Sequence, residues 1–210
     1  MSELAVRTMT GLILIATALM LAFMGGNLFA IFVAAAATAM FYEWTRIVRG
    51  WGIGWYLAGF VYALLPALAL LWIRERADHG FFLLLWVFIV TWSTDIGAYF
   101  VGRSFGRKKL APSISPGKTV AGLYGGIAVA GLIGAAWVMA TGLGPALLLL
   151  APVLALAAQG GDLFESWMKR RADVKDSGNL LPGHGGVLDR LDGLVPVAVL
   201  AAIAQIGGFA

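Results

Sequence analysis

The chain has 210 residues, of which 60% are hydrophobic and only 12% charged. An ordinary soluble domain carries about 25% charged residues, and a chain of this size has too little interior to hide so much apolar side chain. Composition therefore excludes a soluble globular protein and predicts an all-α, polytopic helical bundle integral to a membrane. There is no cysteine, so neither a disulfide framework nor thiol chemistry is available. The net charge is +4, but the basic residues lie beside apolar runs and form no long solvated patch. That placement argues against a nucleic-acid partner.

A span needs about 20 mostly apolar residues. Seven stretches meet this, at 8–24, 28–44, 54–73, 81–102, 120–141, 143–162 and 191–209. The first is long for a signal-peptide core and runs through Gly25-Gly26-Asn27 straight into the second, so it reads as an uncleaved span. A second tight turn is expected at Thr141-Gly142-Leu143-Gly144-Pro145. Gly122 and Gly126 form a GxxxG pair, the spacing that lets two helices approach closely. Residues 1–80 read as amino-terminal spans. Residues 81–210 read as the catalytic membrane domain, with charged loops at 103–119 and 163–190.

Counting charges across seven spans puts 13 of the 15 Lys and Arg residues on one side, with only Arg74 and Arg76 on the other. By the positive-inside rule the amino terminus and both charged loops are cytoplasmic.

The fourth span carries an acid, Asp95, with Tyr99 one turn on and Arg103 at its end. An intramembrane carboxylate is a functional candidate by default, set against a packing hydrogen bond. The following loop ends Ser115-Pro116-Gly117-Lys118-Thr119, offering two hydroxyls, a cation and a glycine turn before a helix start, which suits phosphate oxygens. It is not a Walker A loop, because the first glycine is missing and no strand is expected before it.

The densest chemistry lies from Asp162 to Asp192, which holds 11 of the chain's 26 formal charges. If the sixth helix continues, Asp162, Ser166 and Lys169 share one face. Lys169, Arg170 and Arg171 suit either lipid headgroups or phosphate. The glycine-rich turn Pro182-Gly183-His184-Gly185-Gly186 lets backbone N–H groups approach an anion. Asp189 and Asp192 are three apart and share a helix face. With Asp162 from a neighbouring helix they could hold Mg²⁺, which takes few protein carboxylates and completes its shell with phosphate oxygens and water. The alternative is ordinary acids at a helix amino terminus. Together these groups predict phosphoryl or nucleotidyl transfer to a lipid-embedded substrate.

The run from Ser166-x-Met168-Lys169-Arg170 through Lys175-Asp176-x-Gly178, Leu181-Pro182-x-His184-Gly185-Gly186-Val187 and Asp189-Arg190-Leu191-Asp192 resembles the signature of the phosphatidate cytidylyltransferase family. Asp95, Ala98, Tyr99, Gly102, Arg103, Gly106, Leu110-x-Pro112-x-Ile114-Ser115-Pro116-x-Lys118-Thr119 and Gly122 are also similar to that family. The resemblance covers about residues 85–210. It implies transfer of CMP from CTP to phosphatidic acid, giving CDP-diacylglycerol and pyrophosphate. It implies a Mg²⁺-dependent enzyme of the bacterial cytoplasmic membrane, a homodimer among membrane lipids, with a monovalent cation such as K⁺ left open. By the same resemblance Asp162 and Asp189 are metal ligands, supported by Asp192 and Asp95. Lys169, Arg170, Lys175, His184, Asp189 and Asp192 are the catalytic set. Asp95, Tyr99, Arg103, Ser115, Lys118, Thr119, Ser166 and Arg190 bind substrate. Two departures stand out: the chain is shorter than typical members at its amino end, and Ala121 occupies a position where Glu or Gln is frequent.

The competing readings are a CTP-dependent kinase or a cytidylyltransferase acting on another lipid, and a cation-coupled transporter. A transporter site sits near the bilayer midplane at broken helices. The one-sided charge cluster argues against it.

Overall fold

The computed structural model describes residues 3–76 and 78–208. The chain folds as an all-α polytopic membrane bundle. Its helices are α1 (Glu3–Met24), α2 (Gly26–Ile47), α3 (Ile53–Arg74), α4 (Gly80–Phe105), α5 (Val120–Thr141), α6 (Leu147–Arg171), α7 (Leu188–Leu191) and α8 (Leu194–Ile206). Six of them are long and apolar enough to cross a bilayer. Both expected turns are present: Gly25 and Gly26 take positive φ between α1 and α2, and Gly142 ends α5 in the left-handed region.

Successive helices alternate in direction, so the chain ends meet in pairs. At one end the Arg74 guanidinium donates to the carbonyls of Ala22 and Phe23, at 2.6 and 2.9 Å. It thereby satisfies carbonyls that the last turn of α1 leaves without helical partners. At the other end lie Arg46, Arg103, the 106–119 segment, Arg171 and the 172–187 loop.

Three expectations are corrected. The sixth span does not end at 162; α6 runs on to Arg171, because its polar residues beyond 162 find partners along the bundle. The charged loop is correspondingly shorter, about 172–187. The segment 103–119 is not simply a loop. It contains an antiparallel hairpin of β1 (Lys109–Ala111) and β2 (Ser115–Thr119), pairing Lys109 with Thr119 and Ala111 with Ser115. The Ser-Pro-Gly-Lys-Thr run is thus a strand rather than a turn. Lastly, the stretch 191–209 is not one unbroken helix. Pro196 has no N–H to give the Asp192 carbonyl, and α8 alone, at about 20 Å, is too short to span. Val187, Asp192 and Gly193 nonetheless keep right-handed helical dihedrals. From Leu188 to Ile206 the path is therefore one interrupted helix of about 28 Å. Phe209 lies outside the described residues.

α4 is the most enclosed helix, with Leu84, Trp86, Val87 and Val90 buried completely. It packs against α5 through small residues. A side chain added at Gly126 would meet the Thr94 carbonyl and the Ala98 methyl, and one added at Gly122 would meet the Ala98 carbonyl. Helices gain little from hydrophobic burial against lipid, so this close backbone approach is what holds them. Gly126→Val should destabilise the bundle by about 1–3 kcal/mol, read as a lower unfolding midpoint in detergent.

Candidate active site

Between α4, the hairpin, α5 and α6 lies a polar cavity of about 700 Å³. Asp95, Tyr99 and Arg103 line it from α4, Lys109, Lys118 and Thr119 from the hairpin, and Gln159 and Asp162 from α6. Gly102, Gly106, Gly117 and Gly122 also border it. A side chain at Gly102, Gly106 or Gly122 would run into Thr119, the Gly102 carbonyl or the Ala98 carbonyl, so these three let the cavity's walls meet closely, while Gly117 faces open space.

Each wall is placed by local chemistry. Thr119 caps α5, its hydroxyl accepting from the Gly122 N–H at 3.0 Å. That cap fixes where the strand turns into the helix and so where Lys118 points. The Lys118 ammonium reaches across to α6, bonding the Gln159 Oε1 at 2.8 Å and the Asp162 Oδ2 at 2.7 Å. Ser166 donates to the Asp162 Oδ1 at 3.3 Å, one turn along the same face. Arg103 donates to the Tyr99 hydroxyl at 2.8 Å. Arg170 reaches from α6 to the Ile114 carbonyl in the hairpin, at 3.3 Å.

A second cluster sits one turn further along α6. Lys169 bonds Glu165 at 2.8 Å and Asp189 at 2.6 Å, with all three side chains largely buried. Both oxygens of Asp189 accept hydrogen bonds. The one not bonded to Lys169 accepts from the N–H groups of Ser177 and Gly186, at 3.0 and 2.8 Å. Burial alone would raise the pKa of Asp189. The bonds from Lys169 and Gly186 outweigh that and hold its carboxyl below the usual value.

Of the residues expected from sequence, Asp95, Tyr99, Arg103, Lys118, Thr119 and Asp162 share the polar cavity, and Ser166 joins them through Asp162. Lys169 and Asp189 form the adjoining cluster. Asp192 lies within electrostatic range of Asp95 and Asp162. Ser115 belongs to strand β2 and Lys175 is exposed on the 172–187 loop. The His184 ring rests against Gly11 of α1, and its carbonyl accepts two bonds from Arg190 at 3.0 and 2.7 Å. Neither His184 nor Arg190 lines the polar cavity; Arg190 borders an apolar one of about 140 Å³. The glycine turn does present N–H groups to anions, but the anions are the protein's own Asp189 and Glu43. Sequence reading passed over Glu43, Glu165, Gln159 and Lys109. Glu43 is an acid near the end of an apolar helix, the signal that singled out Asp162, and Glu165 lies one turn beyond Asp162 in the same charged stretch.

Among the described residues no set of three or more His, Asp or Glu side chains is arranged to enclose a metal. Magnesium does not require one, since one or two carboxylates and substrate phosphates suffice. The donor chemistry fits: Asp162 and Asp189 each hold an ammonium group, at 2.7 and 2.6 Å. Asp95, Asp162 and Asp192 repel one another with Lys118 as the cation among them.

Acids suited to a divalent ion, cations suited to phosphates and a cavity at the end of apolar helices define a membrane-embedded nucleotidyltransferase. The chain matches the profile of the "Cytidylyltransferase family" over residues 49–206. It is 40% identical over 250 residues to a protein of Brucella suis named phosphatidate cytidylyltransferase, covering 95% of this chain and 92% of the relative. A Pseudomonas aeruginosa protein of the same name is 40% identical over 179 residues, covering 82% and 66% of the two chains. One from Bacillus subtilis is 49% identical over 123 residues, covering 57% and 46%. The chain belongs to the cytidylyltransferase family.

The depressed pKa of Asp189 has a stability consequence. A carboxyl bound more acidic in the folded state stabilises it above the unfolded pKa of about 3.9, and that stabilisation is lost as pH falls through the folded value. In chelator-treated protein, Asp189→Asn should lower the unfolding midpoint at neutral pH. The gap to the wild type should close below about pH 4. A gap independent of pH would contradict the assignment.

Proposed function

We propose that the chain is a CTP:phosphatidate cytidylyltransferase, working from the cytoplasmic side of a bacterial inner membrane. The observation that carries this is the shared cavity of Asp162, Lys118, Arg103 and Lys109 at the basic end of the bundle. The names of the relatives supply the substrates. A phosphate oxygen of phosphatidic acid attacks the α-phosphorus of CTP. The new O–P bond forms as the bond to the β-phosphate oxygen breaks, and pyrophosphate leaves. That oxygen is already ionised at neutral pH, so no serine–histidine pair is needed to activate it.

The work left to the protein is positioning and charge neutralisation. Arg103, Lys109 and Lys118 line the cavity as cations for the triphosphate. Tyr99 steadies Arg103, and Gln159 together with Asp162 steadies Lys118. Asp162 and Asp189 are the carboxylates we assign to Mg²⁺, which would neutralise the leaving pyrophosphate when bound. Lys169 sits between Asp189 and Glu165 and keeps the second carboxylate oriented. Orientation follows from the basic end facing the cytoplasm. A homodimer and a monovalent ion belong to the same reading.

Purified protein given labelled CTP, Mg²⁺ and phosphatidic acid should yield labelled CDP-lipid with equimolar pyrophosphate. Release of CDP with a newly phosphorylated lipid would make the chain a kinase instead. Asp162→Asn should lower kcat by about 10²–10³-fold while the protein still inserts. Near-normal turnover would remove Asp162 from the mechanism.

A further inference from the structure

Glu43 lies near the end of α2, outside the stretch that matches the family profile. Its side chain is 0% exposed. No lysine or arginine pairs with it among the described residues. Its oxygens instead accept from the Val187 N–H at 3.0 Å, the Leu188 N–H at 2.8 Å and the Ser177 hydroxyl at 2.9 Å. A buried carboxylate is costly unless hydrogen-bonded, so this set of donors is a built receptor for one group. The receptor is shaped to fit. A side chain at either Gly178 or Gly186 would run into the Glu43 carboxylate.

The same loop residues reach the acid cluster. The Ser177 hydroxyl that donates to Glu43 accepts from the Asp189 N–H at 3.3 Å, and the Ser177 N–H donates to the Asp189 carboxylate at 3.0 Å. Asp189 in turn holds Lys169. An unbroken hydrogen-bonded path therefore runs from Glu43 through Ser177 and Asp189 to Lys169 on α6. Both sides of the 177–188 segment are tied to one side chain of α2.

We infer that Glu43 is a positioning residue for the reaction, the anchor around which the 177–188 segment folds so that Asp189 and Lys169 are held toward the cavity. Glu43 touches neither substrate; it acts through the loop. This rests on the functional reading above, so the test has one arm that depends on turnover and one that does not.

The test compares wild type, Glu43→Gln, Ser177→Ala, the double variant and Tyr42→Phe, an exposed neighbour on α2. Gln keeps the shape but weakens the acceptor on which three donors converge. In the first arm, CDP-lipid synthesis should show kcat for Glu43→Gln reduced about 10²-fold, with KM for CTP changed less than about threefold and Tyr42→Phe unaffected. Ser177→Ala should cost less in the Glu43→Gln background than alone, because both act on one path. In the second arm, amide exchange at Ser177 and Gly186–Asp189 should speed at least about tenfold in Glu43→Gln, with exchange in α5 unchanged. Wild-type kcat, additive losses, or a kcat loss without faster loop exchange would each overturn the inference. If Glu43→Gln does not fold, Ser177→Ala alone decides by the same kcat and exchange readings. A wild type that makes no CDP-lipid would defeat the functional reading but leave the exchange arm to judge the anchor.

Discussion

The structure depends on how a mostly apolar bundle accommodates negative charge. Removing a carboxylate from water costs several kcal/mol even after relaxation, so each needs a dedicated partner. Here the partners differ in kind. Asp162 takes the ammonium of Lys118, Asp189 and Glu165 share Lys169, and Glu43 takes backbone N–H groups and a hydroxyl. Each solution ties α6 or α2 to a segment that would otherwise be an untethered loop. The hairpin is held by Lys118 on Asp162 and by Arg170 on Ile114. The 172–187 loop is held by Asp189 and Glu43.

The rest of the bundle is arranged to leave this end free to do chemistry. The contact between α4 and α5 relies on glycines that bring the backbones together, and the same pattern continues as Gly102, Gly106 and Gly122 at the cavity wall. The glycines of α4 and α5 thus bring the two backbones together along their length and up to the cavity wall, where Thr119 packs between them. On the opposite flank, Arg171 lies over the rings of Trp51, Trp55 and Trp167, at 4.5, 5.6 and 5.5 Å. Amphipathic rings and a long cation belong at a bilayer interface. By that chemistry the end of α6 is suited to the headgroup level of a bilayer.

The glycine-rich turn shows how a motif can serve a purpose one step removed from the expected one. Glycines near a charged site suggest phosphate binding. In the fold, the N–H groups at 177 and 186–188 are committed to Asp189 and Glu43. The turn orders the protein's own acids and has no N–H at these positions left to grip a phosphate. His184, the most conspicuous residue of that turn, packs on α1.

Much was legible in the chain because the bilayer imposes a local rule. Every span must be apolar over about 20 residues, so the membrane class, the first six crossings, the two tight turns and the gathering of 13 basic residues at one end could be read position by position. The acids Asp95 and Asp162 stood out for the same reason, as charges where apolar residues are required. What could not be read is which charge meets which. Glu43 and Ser177 are 134 residues apart, and Lys118 and Gln159 are 41 apart. No periodicity relates such positions. The extension of α6 past Asp162 and the hairpin at 109–119 likewise arise from partners elsewhere in the fold, whereas the interruption at Asp192 follows from Pro196, four residues on, and was open to a local reading. Local hydropathy determined where the chain crosses the membrane. Only tertiary packing decided how its buried charges are neutralised, because a carboxylate in a low-dielectric interior is stabilised by whichever donors the fold brings within about 3 Å of it.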